Sequence, residues 1–67
     1  MIQVTVNGEI RQFEPATKLS RLIENMGLAG KRLALERNGE IVPRSRFDQE
    51  TLAHGDSLEI VVAVGGG

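Results

Sequence analysis

The chain has 67 residues, 40% hydrophobic and 25% charged, with eight Lys/Arg against nine Asp/Glu for a net charge of -1. That length holds one small domain and excludes an ordinary multi-step enzyme with a substrate domain of its own, while the lack of any cysteine excludes a disulfide scaffold, a thiol nucleophile and a thiolate metal site. No basic footprint, no Tyr or Trp, no run of ~20 apolar residues and no signal-like leader leave no nucleic acid and no membrane as partner, and point to a small cytoplasmic monomer that binds other proteins.

Residues 2 to 6 alternate, with Ile2, Val4 and Val6 facing one way and Gln3 and Thr5 the other, the period of a half-buried strand. Asn7-Gly8 suits a type I′ turn, so the chain doubles back. A two-residue loop pairs Val6 with Glu9 and Ile2 with Phe13, which puts Phe13 in the core and Ile10 on the outer face beside Thr5. Pro15 ends the second strand.

Thr17 is the expected cap of a helix running to about Met26. Leu19, Leu22, Ile23 and Met26 fall at i, i+3, i+4 and i+7, one face of an α-helix, with Lys18, Arg21, Glu24 and Asn25 opposite. Gly27 is placed to take the left-handed conformation that ends such a helix, and Leu28 to pack back on its last turn. Leu33 and Leu35 begin a third strand. Asn38-Gly39 turns it into Glu40-Ile41-Val42, which Pro43 stops. Residues 44 to 57 read as an irregular connection with a short helical turn near Asp48 to Leu52, anchored by Phe47 and Leu52, and His54-Gly55-Asp56 as a turn. Residues 58 to 64 form the last strand: Leu58, Ile60, Val62 and Val64 on one face, Glu59, Val61 and Ala63 on the other.

Ordering this chain costs on the order of 100 kcal/mol in conformational entropy, which only compact regular structure offsets. A hairpin, a helix and further strands give an α+β domain, one mixed β-sheet with one main helix packed across it. The last strand has apolar residues on both faces and suits a central position. This is the β-grasp arrangement, with residues 1–64 as the single domain and 65–67 as a flexible C-terminal glycine tail.

Gly65-Gly66-Gly67 are the most unusual residues. A frayed terminus or a leftover linker is the plain alternative. The functional alternative is a probe: residues without Cβ enter a narrow channel and let a partner close on the main chain. From Val64 such a tail reaches roughly 10–14 Å. A carboxylate is a poor electrophile until it is joined to a good leaving group such as AMP, and this chain has no means of doing that. Gly27-Leu28-Ala29-Gly30-Lys31 is too short for a phosphate-binding loop, and His54 has no second ligand for zinc and no triad partner. Ile10, Ala34, Val61 and Ala63 project from the outer sheet face as an apolar docking surface near the tail. Lys31-Arg32, Arg44 and Arg46 are solubilising charges or a basic rim for an acidic partner.

The chain resembles the ThiS family of thiamin-biosynthesis sulfur carriers over nearly its whole length. The likeness runs through Val6-Asn7-Gly8-Glu9, Met26-Gly27-Leu28, the stretch from Asn38-Gly39-Glu40 to Ile41-Val42-Pro43-Arg44, His54-Gly55-Asp56, the apolar last strand and the diglycine end. Phe47 stands where many relatives carry Trp. The resemblance implies a ubiquitin-like β-grasp and a carrier with no catalytic activity and no bound cofactor. It implies an E1-like adenylating enzyme (ThiF type) that uses ATP on the carboxylate of Gly67. A cysteine desulfurase then supplies sulfur, and the resulting thiocarboxylate serves thiazole synthase. Gly66 and Gly67 match the diglycine; Gly65 is an extra glycine in the tail. A MoaD-type carrier for molybdopterin and a non-covalent β-grasp interaction domain are the alternatives.

Overall fold

The computed structural model describes residues 1–63. Val64 and Gly65–Gly67, expected as the last strand residue and the tail, lie outside the described residues. The elements are β1 (Ile2–Val6), β2 (Glu9–Phe13), α1 (Leu19–Asn25), β3 (Leu33–Arg37), β4 (Glu40–Val42), a 3-10 turn at Arg44–Arg46, and β5 (Ser57–Val62). They form one five-stranded sheet in the order β2-β1-β5-β3-β4. β5 runs parallel to β1 and antiparallel to β3, while both hairpins are antiparallel. The expected mixed sheet, single helix and central last strand are therefore present, as the ubiquitin-like β-grasp.

Local chemistry explains both hairpins. Asn7 and Gly8 have φ of 50° and 83°, and Asn38 and Gly39 have 52° and 87°, the positive pair that a type I′ turn demands and that Asn-Gly supplies at least cost. The first hairpin has the expected register, Ile2 opposite Phe13 and Val6 opposite Glu9. Inward positions of the strands, among them Val4, Val6, Leu35, Leu58 and Ile60, meet Leu19, Leu22 and Ile23 of α1 in the core. Phe47 and Leu52 close it from the connecting segment, as expected.

The helix differs from expectation at its start. It spans Leu19–Asn25, its N-cap is Lys18, and no side chain caps it. Thr17 instead turns its hydroxyl to the Glu14 carbonyl, 2.6 Å away. The first helical N–H groups are satisfied from a distance: Leu19 donates to the Glu50 carbonyl (3.0 Å) and Ser20 to that of Phe47 (2.8 Å). At the other end the expected stop is in place. Gly27 has φ 73°, its N–H donates to Glu24 and the Leu28 N–H to Ile23, the paired bonds of a Schellman motif.

Two more boundaries shift. The helical turn expected near Asp48 to Leu52 lies earlier, at Arg44–Arg46, directly after Pro43; Pro43 itself is its N-cap. The last strand begins at Ser57 and ends at Val62. No helix among the described residues is long and apolar enough to cross a membrane.

Candidate functional site

In sequence β5 leads to the glycines expected to be functional, so the bonds that fix β5 bear on that candidate site. Its bond pattern with β1 is continued by a side chain. The Ile60 N–H donates to Asn7 Oδ1 (2.7 Å) and Asn7 Nδ2 donates to the Ile60 carbonyl (3.1 Å). The second turn asparagine does the same from the other side. The Ser57 N–H donates to Asn38 Oδ1 (2.9 Å), and the Asn38 N–H donates to the Ser57 carbonyl (2.8 Å). Both Asn-Gly turns thus close a hairpin and hold the central strand.

The entry to β5 is fixed by charge. Asp56 is buried, accepts from the Ala53 N–H (2.9 Å) and Asn38 Nδ2 (3.1 Å), and pairs with Arg37 Nη2 at 2.8 Å. Burial pushes its carboxyl up, but the Ala53 N–H, the Asn38 amide and the Arg37 guanidinium together hold it below the ordinary 3.8. Arg37 also reaches Glu50 at 3.2 Å. His54 lies in the turn before Asp56, where its Nδ1 accepts the Gln3 N–H at 3.0 Å. The turn is held to β1 by that bond and by the Gly55 N–H on the Gln3 carbonyl (2.8 Å).

The exit of β5 is tied to β3. The Ala63 N–H donates to the Arg32 carbonyl at 2.9 Å, continuing the register in which Leu33 faces Val62 and Ala34 faces Val61. Of the expected docking residues, Ala34, Val61 and Ala63 therefore meet on the outer face beside the exit. Ile10 is exposed on the same face but two strands across and four residues back, roughly 16 Å away. Ile41, 72% exposed, also faces outward and was not among the expected residues. Its signal lay in the sequence: with Val42 turned into the core, strand alternation turns its neighbour out.

The basic residues separate. Arg44 places Nη2 on the Lys31 carbonyl at 2.6 Å, whereas Arg46 turns to Glu50 at 3.9 Å. Between α1 and these loops is a cleft of about 280 Å³ whose walls include Ile23, Leu28, Leu33 and Phe47. Gly30 and Lys31 line it as loop residues. No group of three metal-ligating side chains occurs among the described residues. Gly65, Gly66 and Gly67 lie outside them.

A sequence model of the ThiS family matches residues 4–67. The chain belongs to the ThiS family. Among solved structures it resembles a crystal structure of thiamine biosynthesis protein ThiS from Geobacter metallireducens, with a TM-score of 0.82 and 29% identity over 98% of this chain and all of that one. Among curated proteins it is 39% identical over 66 residues to a thiazole synthase of Paramagnetospirillum magneticum, and 33% identical to one of Magnetococcus marinus. In both cases 98% of this chain is covered but only 20% of the other protein. The chain thus spans about a fifth of the length of the thiazole synthases it matches. The likeness expected from Asn38-Gly39-Glu40-Ile41-Val42-Pro43-Arg44 and the glycine end is borne out, and ThiS-like sequence occurs within proteins named for thiazole synthesis.

Proposed function

We propose that this ThiS-family chain is a sulfur carrier for the thiazole moiety of thiamin, acted on by partner enzymes. The observation that carries the reading is the family match, which runs through the glycines onto a body with the ThiS fold. The reactive group is the carboxylate of Gly67. An E1-like enzyme of the ThiF type joins it to AMP: a carboxylate oxygen attacks the α-phosphorus of ATP and pyrophosphate leaves. The outer sulfur of a persulfide, charged by a cysteine desulfurase, then attacks the acyl carbon and displaces AMP. A second thiol cleaves the remaining S–S bond, and the thiocarboxylate passes its sulfur to thiazole synthase. The similarity to thiazole synthases supports that last partner over a molybdopterin pathway.

The chain's own part is presentation. Gly65 and Gly66 admit a partner's closely fitting walls because they lack Cβ, and ATP is bound by the activating enzyme. Ala34, Val61 and Ala63 form the docking area beside the exit of β5, with Ile10 at its periphery. The experiment is reconstitution with a ThiF-type enzyme, ATP and a sulfur donor, followed by intact mass measurement. A gain equal to replacement of one oxygen by sulfur is expected. An unchanged mass with a competent enzyme refutes the carrier reading and leaves a non-covalent binding domain.

A further inference from the structure

The outer face of the sheet bears a charge order that is complementary to itself. The outward positions of β3 are Ala34 and Glu36, with Arg32 one residue ahead of the strand on the same face; opposite them stand Val61 and Glu59 of the antiparallel β5 and Ala63 one residue beyond it. A cation therefore occupies one end of this two-strand strip and two carboxylates the other, with Ala34 and Val61 between. Val61 is 67% exposed. Glu36 and Glu59 are direct cross-strand neighbours, a placement that destabilises a sheet when the charges are alike. Neither carboxylate, nor Arg32, takes part in an ion pair among the described residues.

We propose that this strip is an isologous interface between two copies of the chain. A two-fold axis lying across the strands at the Ala34–Val61 row reverses strand direction while keeping β3 over β3 and β5 over β5. Arg32 and Glu36 each stand two residues from Ala34, about 6.6 Å to either side. The operation therefore sets Arg32 of each copy over Glu36 of the other and brings the two Val61 side chains together. The Arg32–Glu36 contact is made twice, once on either side of the axis, and the Val61 pair meets once on the axis itself, as such an interface requires. The planar guanidinium accommodates two carboxylate neighbours, so each Arg32 also relieves the Glu36–Glu59 repulsion in the opposite copy. A strip two strands wide falls short of the ~1,200 Å² of stable assemblies; the pair forms and dissolves readily and fills at high concentration. It covers Ala63, so it is a resting form that a partner enzyme displaces. The self-association itself does not depend on the sulfur-carrier reading.

Sedimentation equilibrium of the full chain, from micromolar concentrations to about 1 mM, tests this without any partner. A reversible monomer–dimer equilibrium is expected. Arg32→Glu alone and Glu36→Arg alone each raise the dissociation constant by about tenfold or more, with thermal unfolding confirming that both remain folded. An equimolar mixture of these two variants restores the dimer, because one supplies carboxylates at both positions and the other cations at both. A wild-type chain that stays monomeric throughout overturns the proposal. So does a dimer indifferent to either substitution, or a mixture of folded variants that fails to associate. If Val61→Asp abolishes binding to the activating enzyme while the wild type never self-associates, the strip belongs to that other protein and the proposal fails.

Discussion

The carboxamide of Asn7 lies against the backbone of Ile60 and exchanges two hydrogen bonds with it, accepting at 2.7 Å and donating at 3.1 Å. A turn residue thus acts as a further rung between β1 and β5. Asn7→Gly keeps the positive φ of the turn but leaves both Ile60 backbone groups without this partner. It is expected to lower stability by about 1–2 kcal/mol, read as a reduced urea midpoint at unchanged slope. An unchanged midpoint means that the two bonds contribute nothing net.

Asp56 gives the fold a defined acid dependence. Its folded pKa lies below the ordinary 3.8, so its stabilisation is fully present above that pH and is lost as pH falls through the folded value. Asp56→Asn removes the charge facing Arg37 and is expected to cost about 2–3 kcal/mol at neutral pH. Urea unfolding from pH 7 downward should show the gap between wild type and variant narrowing only below pH 3.8. A gap that is constant with pH contradicts the assignment.

Ala16 holds φ of 66° in the turn from Glu14 to Thr17, after Pro15. Pro followed by a positive φ is the type II pattern, in which glycine is the unstrained choice. Ala16→Gly relieves the left-handed strain and loosens the unfolded chain, and strain is the larger effect. A stabilisation of up to about 1 kcal/mol is expected in thermal unfolding.

For the carrier chemistry, Gly66→Leu is expected to leave the unfolding midpoint unchanged and to cut thiocarboxylate formation about a hundredfold, since small misplacements at a reacting centre have effects of that order. Normal loading of this variant removes the narrow-channel argument.

The docking proposal separates two exposed aliphatic residues. Val61→Asp is expected to weaken binding to the activating enzyme by at least about tenfold. Ile10→Asp, well removed from the exit of β5, is expected to change it less than threefold, within the range of a rim contact. Titration calorimetry with both variants checks the contrast; equal effects would enlarge the docking area to the whole outer face.

What is legible in the chain is what local chemistry decides. Asn7-Gly8 and Asn38-Gly39 declare their hairpins, and Leu19, Leu22 and Ile23 declare the buried helix face. Gly27 and Leu28 declare its end. The start of that helix is not local: its N–H groups are met by the carbonyls of Phe47 and Glu50, so Thr17 was free for a different bond. The opposition of Glu36 and Glu59, and the distance of Ile10 from Val61, follow from strand order and register. Neither feature appears in either segment alone. Val61 and Ala34 were accessible to reasoning because alternation puts both outward; Ile41 was accessible by the same rule and was hidden by its apolar neighbour Val42.

The central placement of β5 has a mechanical consequence. Because it lies between β1 and β3, a force drawn along its outgoing end loads both hydrogen-bond ladders in shear, and their rungs resist together rather than peeling one at a time. A pull on the chain beyond β5, such as the proposed carrier role would impose, is therefore borne by a strand anchored in the middle of the sheet, and the body is expected to resist it without unravelling.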